Sequence, residues 1–307
     1  MMRVVVFGGA GFLGSYVVDE LLSKNHEVTV FDIQKSPYVN DNIPQIIGDI
    51  LDVKAVRDVV IGQDAIYNFA GLADLNDSID KPVETIKQNV LGNLNILEAA
   101  RMEGVDRFLY ASSVYVFSRK GAFYGTSKKS SELIVEQYGE QFGLDYTIVR
   151  YGSVYGERAD RNNRIYRILR EALTDRKISF KGDGSEEREY VHGRDAAKLS
   201  VDILSDKKFA QQSVILTGIE RFKYSQLLLF IKEILNNEID IQMLEEEYPG
   251  HYALTPYSFS PSIGVKLVNN PSIDFGQGLL ECVTKIFNEL QNEGVIKDMP
   301  VPSRYSE

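Results

Sequence analysis

The sequence predicts an α/β fold: a doubly wound parallel sheet with a smaller C-terminal α+β domain beside it. The expectation rests on an apolar run near the start that ends in evenly spaced glycines, an acidic residue closing the second apolar run, and short apolar runs alternating with helical patterns through the first half.

The first run, Val4-Val5-Val6-Phe7, has the pattern of a buried strand. It enters Gly8-Gly9-Ala10-Gly11-Phe12-Leu13-Gly14. Gly8 can make the tight turn, Gly11 admits a pyrophosphate against bare backbone, and Gly14 packs helix on strand. The helix that follows carries Val17, Val18, Leu21 and Leu22 on one face. Its first turn, with Phe12 and Leu13, aims its amides and dipole at the same anion, a Rossmann-type arrangement. The second strand, Glu27-Val28-Thr29-Val30-Phe31, ends in Asp32. An acid there accepts hydrogen bonds from the adenosine ribose and repels a 2′-phosphate, so NAD is expected rather than NADP; a turn-forming aspartate is the plainer alternative.

Gln45-Ile46-Ile47 reads as a third short strand, followed by Gly48-Asp49-Ile50. Asp49, with Ile50 beside it, either reads an adenine amino group or caps the helix Val53 to Val60, a post for which Asp52 competes. The fourth strand runs from Asp64 into Phe69-Ala70-Gly71, where small residues let the backbone approach the phosphates or ribose. Pro82 opens a helical pattern through Ala100; within it Asn89 reads as helix surface, with a cofactor contact as the alternative.

The fifth strand, Arg107 to Ala111, delivers Ser112 and Ser113 to the edge where ligands bind in open parallel sheets. Next comes Tyr124-Gly125-Thr126-Ser127-Lys128; on a helix, Tyr124 and Lys128 lie one turn apart and can share a ligand. Tyrosine becomes a base near neutrality only if its phenolate is stabilised by about three pKa units, roughly 4 kcal/mol. Lys128, as a fixed ammonium, and the positive nicotinamide ring are the expected sources, with a strand-end serine holding the substrate oxygen. A sixth strand follows, Asp145 to Arg150, and helical runs are expected from Arg164 to Leu173, near Tyr224 to Leu235 and near Gly276 to Leu290. The cofactor domain is placed at about 1–152 plus 193–217 and the substrate domain at about 153–192 plus 218–307, boundaries being approximate in such divisions.

The chain has 307 residues, a net charge of −10 and one cysteine, Cys282, which is expected on a buried helix face. The acidity argues against nucleic acid as a partner, and the lone cysteine against a disulfide framework or zinc cluster. No apolar run reaches membrane-spanning length, and the cytoplasm is the expected location. Glu245-Glu246-Glu247 reads as a solvated face, and His251 has no partner in the pattern.

Taken together these motifs resemble the extended branch of the short-chain dehydrogenase/reductase superfamily, the NAD-dependent nucleotide-sugar epimerases and dehydratases. The resemblance takes in the glycine turn, Asp32, Gly48-Asp49-Ile50, Ala111-Ser112-Ser113, Tyr124 to Lys128, Arg150-Tyr151-Gly152-Ser153-Val154-Tyr155-Gly156, and Gly182-Asp183-Gly184 leading to Arg188-Glu189-Tyr190-Val191-His192. It implies a nucleoside diphosphate sugar as substrate. It puts Ser113 in the catalytic serine/threonine place with Ser112 as fallback, Ala111, Tyr151 and Val154 near the cofactor, and Tyr115, Ser153 and Arg188 near the substrate. It also implies a homodimer through the helices after Asn89 and Thr126, although neither stretch shows an unmatched apolar face.

The departures from that family are informative. Phe117 replaces a usual tyrosine, Ser153 a usual asparagine, and Ser118 to Phe123 is much shorter than the stretch that normally covers the sugar. The acid pair that follows the catalytic serine/threonine in 4,6-dehydratases is Val114 and Tyr115 here, so elimination is disfavoured, as is a decarboxylase that places glutamate nearby. Epimerisation through a 4-keto sugar is the expected reaction. A net dehydrogenase or reductase and a non-catalytic NAD-binding relative are the alternatives.

Overall fold

The opening apolar run forms strand β1 (Arg3–Phe7), shielded on both faces over its last four residues. The computed structural model describes residues 1–219, 221–244, 265–268 and 271–296. After β1 come α1 (Phe12–Ser23), β2 (Glu27–Asp32), β3 (Gln45–Ile47), α2 (Val53–Val60), β4 (Ala65–Asn68), α3 (Leu75–Asp80) and α4 (Pro82–Ile86). Then follow α5 (Asn93–Glu103), β5 (Arg107–Ser113), α6 (Ala122–Phe142), β6 (Tyr146–Tyr151), β7 (Ser153–Tyr155), α7 (Arg164–Asp175), β8 (Lys177–Lys181) and β9 (Glu187–His192). The remainder is α8 (Gly193–Ser205), β10 (Gln212–Leu216), β11 (Arg221–Lys223), α9 (Tyr224–Ile234), β12 (Asp240–Leu244), β13 (Val265–Leu267) and α10 (Phe275–Asn292).

Eight strands form one sheet in the order β13-β10-β6-β5-β4-β1-β2-β3, every pairing parallel. The order reverses between β1 and β4, which opens a crevice beyond their carboxyl ends. One face is covered by α1 and α8 around Val17, Leu21, Ala197 and Val201, the other by α2, α5 and α6 around Val56, Ile96, Leu97 and Val135. A third core joins α7, α9 and α10 through Leu169, Leu227, Leu279 and Ile286. It lies with two small sheets, β11-β9-β7 and β12-β8. Cys282 is 4% exposed within this core, as expected of a helix face.

The elements differ from the sequence expectation in three places. The strand β13, in a stretch with no clear pattern, pairs with β10 and adds an eighth strand at the sheet edge. The helix expected from Pro82 to Ala100 contains a wide π turn at Lys87–Gly92, whose extra residue rotates Asn89 inward. Ile50 packs where a side chain on Gly92 would stand. The helix bearing Tyr124 starts at Ala122, earlier than expected, and Ala122 has φ 45° and ψ −144°, a conformation strained for an L-residue. The shortened segment before it winds into one tight turn, Arg119–Gly121, and a second, Val114–Phe117, precedes it directly after β5.

The helices after Asn89 and Thr126 each leave an apolar side chain outward, although no unmatched apolar face is expected of them. Leu91 and Leu133 are 47% and 52% exposed, and neighbouring Val83 is 67% exposed. Periodicity alone does not distinguish an inward from an outward apolar residue where a π turn shifts the phase. No helix among the described residues is long and apolar enough to cross a membrane.

Candidate active site

The end of β1 turns sharply at Gly8, whose φ of +75° and whose closeness to Phe69 and Ala70 exclude a side chain. At Gly14 a methyl group would be driven into the Gly8 carbonyl oxygen, so α1 presses directly on the turn. Gly11 instead has only that oxygen near it, at 3.3 Å, and it opens α1 with no side-chain cap. The first-turn amides around Phe12 and Leu13 are left for an outside acceptor, a cradle that fits a pyrophosphate. Asp32, at the end of β2, accepts from the Ala10 amide at 3.0 Å, which fastens the acid to the same loop. Burial raises its pKa and the backbone hydrogen bonds oppose the rise. The residues present thus fit a dinucleotide.

On the far side of the crevice, Asp52 caps α2 through the amides of Lys54 and Ala55. Asp49 is exposed and accepts from Leu51 instead, so the cap alternative for Asp49 is removed. Ile50 is 6% exposed and packs beneath the π turn. Asn68 holds the turn after β4 by accepting from Ala70 at 3.1 Å, leaving Phe69, Ala70 and Gly71 at the crevice.

Asn89 is 2% exposed, contrary to the surface position expected for it. It accepts from the Leu72 amide at 2.7 Å and donates to the Leu72 carbonyl at 2.9 Å and to Ser127 at 2.8 Å. Both amide protons are used within the chain, so Asn89 shapes the loop beyond Gly71 rather than donating to a cofactor.

At the end of β5 the reactive groups meet. Ser113 is 6% exposed, its hydroxyl accepts from the Tyr115 amide at 3.3 Å, and it lies near enough to Tyr124 to act on the phenol. Lys128 donates to the Ala111 carbonyl at 2.8 Å, and its ammonium lies 6.0 Å from the centre of the Tyr124 ring. The Tyr115 ring meets Tyr124 edge-on at 6.2 Å. Burial raises the Tyr124 pKa, and the Ser113 hydrogen bond opposes that rise. Lys128 is not the fixed ammonium expected: burial lowers its pKa to about 8, with Glu132 pulling the other way.

That depressed lysine affects stability with a definite sign. Between pH 8 and the ordinary lysine value the unfolded chain holds a proton that the folded chain has lost, so stability rises with pH through that window. Wild type compared with Lys128→Met by urea unfolding at pH 7.5 and 9.5 should show the gain in wild type alone. Equal slopes in both proteins would refute it.

Ser112, the fallback for Ser113, has a different job. Its hydroxyl donates to Glu132 at 2.6 Å, and Arg150 clamps both oxygens of Glu132 at 2.8 and 2.9 Å. Adjacent strand residues point to opposite faces, so only one of the two serines can face Tyr124. The pattern alone hid Glu132, which continues the four-residue spacing of Tyr124 and Lys128.

Several substrate-side expectations are revised. The Tyr151 hydroxyl is buried against Ser200 at 2.6 Å, so only its backbone remains at the strand end. Ser153 and Val154 lie in β7, both half-buried, and the Val154 carbonyl accepts from Asn163. Arg188 is 3% exposed, donates to the Glu187 carbonyl at 2.8 Å and meets Glu186 at 3.3 Å. Glu245 to Glu247 and His251 lie outside the described residues.

Glu157, His192 and Glu281 cluster at the junction of α1, α8 and α10. Their donor chemistry opposes a metal: His192 accepts from the Arg194 amide through Nδ1 at 3.2 Å, which leaves Nε2 protonated toward Glu157. Tyr16 and Arg194 also donate to Glu157, each at 2.7 Å.

A model of the NAD dependent epimerase/dehydratase family matches residues 4–216. The chain is similar to the UDP-N-acetyl-alpha-D-glucosaminuronate decarboxylase of Bacillus cytotoxicus, 28% identical over 325 residues, which take in 95% of this chain and 99% of the relative. It is similar to the UDP-glucose 4-epimerase of Corynebacterium glutamicum, 26% identical over 276 residues, 79% of this chain and 83% of that one. In fold it is similar to the UDP-glucose 4-epimerase of Thermus thermophilus in complex with NAD, with a TM-score of 0.78 and 24% identity, covering 93% of this chain and 99% of the other.

Proposed function

The chain belongs to the NAD-dependent epimerase/dehydratase family, and from that premise we propose that it is a nucleotide-sugar epimerase working through a transient 4-keto sugar. The observation that carries the reading is the convergence of Tyr124, Lys128 and Ser113 at the end of β5, beside Val114 and Tyr115 rather than an acid pair.

In this scheme Gly8, Gly11, Gly14 and the start of α1 hold the pyrophosphate of NAD, and Asp32 holds the adenosine ribose. NAD held there would supply a reversible hydride acceptor for the sugar carbon. Tyr124 takes the proton of the sugar hydroxyl through its phenolic oxygen and gives it back after the sugar has turned. Tyr124 enters that step as its phenolate and leaves it as the neutral phenol, and Ser113 donates to the phenolate beforehand or to the sugar oxygen as it loses its proton. Lys128 supplies positive charge, and because burial erodes that charge, activity should fall as pH climbs past about 8. Residues of the third core, with Ser153 of β7 beside it, and Tyr115 next to Tyr124 form the side that receives the nucleoside diphosphate.

The test is incubation with UDP- and GDP-sugars followed by analysis of the C4 configuration. A new C4 stereoisomer without accumulated NADH is the expected result. A dehydrated 4-keto-6-deoxy product, release of carbon dioxide from a nucleotide uronic acid, or stoichiometric NADH would each replace the epimerase reading. The exposed Val83, Leu91 and Leu133 support a homodimer through α4, α5 and α6. Leu133→Glu is expected to halve the mass seen by light scattering, and an unchanged mass would exclude that face.

A further inference from the structure

Three side chains at four-residue intervals on α6 meet the last three residues of β5. Lys128 donates to the Ala111 carbonyl at 2.8 Å, Glu132 accepts from Ser112 at 2.6 Å, and Tyr124 lies near enough to Ser113 to feel its hydroxyl. Four-residue spacing puts all three on one helix face. The first two belong to the chemistry proposed above; the third has no part in it so far.

Glu132 is fully buried, and a buried carboxylate needs compensation. Arg150 from β6 supplies it with two charge-assisted bonds, and Lys129 approaches at 3.6 Å from the outer side. The groups facing Lys128 are few among the described residues. Tyr124 and Glu132 face it from α6, the Tyr110 ring lies 5.0 Å away on β5, and Arg150 of β6 reaches it only through Glu132. Tyr110 is kept neutral by burial, so Glu132 and Arg150 are the permanent charges that bear on the Lys128 proton.

Resting on the reading of Tyr124 and Lys128 as the catalytic pair, we propose that Glu132 is a positioning residue of the reaction: anchored by Arg150 one turn along α6 from Lys128, its carboxylate is the counter-charge of that side chain and, through Ser112, sets the end of β5 against Tyr124. Arg150 moderates that effect, because its positive charge opposes the Lys128 proton while it fastens Glu132 in place. The ion pair is thus a set point for the lysine as well as a staple between helix and sheet.

The two halves of the pair separate these roles by sign. Either single replacement breaks the same staple, so a structural pair alone would disturb Lys128 in one direction whichever half is removed. In the proposed role Glu132→Gln lowers the Lys128 pKa by about one unit and Arg150→Met raises it by a similar amount. The double variant falls between them. The readout is competitive acetylation of the full chain across pH 6–11, with the Lys128 peptide quantified by mass spectrometry; it needs no substrate. Opposite shifts support the proposal, and shifts of one sign, or none, overturn it. Should Glu132→Gln fail to fold, Arg150→Met against the double variant still decides, since the single must titrate higher.

Turnover provides a second reading. The alkaline limb of the rate profile should move down in Glu132→Gln and up in Arg150→Met, in step with the titration. A wild type inert toward every nucleotide sugar would defeat the proposed function, yet the acetylation result would still stand for or against Glu132.

Discussion

Tyr124→Phe is expected to lower turnover by about 10²- to 10⁴-fold, the usual range for losing a proton-transferring side chain, while NAD binds as in wild type. The ring keeps its edge-on contact with Tyr115, so removing one oxygen leaves the packing intact. Rates from a coupled epimerase assay and NAD affinity from calorimetry, taken on the same preparation, check the prediction. Turnover within a few-fold of wild type would take Tyr124 out of the mechanism.

The second large effect is expected at the turn between β1 and α1. Gly14→Ala drives a methyl group into the Gly8 carbonyl oxygen, backbone against backbone, with no flexible side chain to yield. Helix and turn must separate, so stability should fall by about 1–3 kcal/mol, and NAD affinity by tenfold or more with it. Gly11→Ala is the contrasting case. Its methyl would meet only the Gly8 oxygen at 3.3 Å, so the fold should hold while the added group occupies the pyrophosphate's place. Thermal unfolding and calorimetry on both variants separate the damage. Full NAD affinity in Gly11→Ala would mean that the pyrophosphate lies elsewhere.

Much of the fold was legible because its signals are local. Val4 to Phe7 is apolar on both faces, as a central parallel strand must be, and Gly8 occupies a backbone conformation that side chains rarely adopt. The Tyr124 and Lys128 spacing was legible for the same reason: one helical turn separates them wherever the helix lies. Ser112 and Ser113 could not be ranked from the pattern, because the face each presents depends on where α6 and β6 pack. Asn89 was misjudged as surface because a single wide turn, unmarked by any proline, changed the phase of its helix.

Charge was the least legible property. Lys128 looks like an ordinary cation in sequence, and Arg188, in its acidic run, like a surface charge paired to its neighbours. Burial lowers the first to about 8, and Glu186 and Glu187 engage the second. Desolvation sums over everything packed around a group, and most of that packing comes from residues distant in the chain.

The sequence by itself determined the parallel sheet, the glycine cradle, the acid at the end of β2 and the pairing of a phenol with an amine, since each depends on backbone geometry over one turn or one strand. Only the tertiary structure decided which serine meets the phenol, that Glu132 and Arg150 sit beneath the reactive edge, and how much charge the lysine retains. Those outcomes arise where β5, β6 and α6 come together. Burial and partnership are properties of that junction, not of any one stretch of chain.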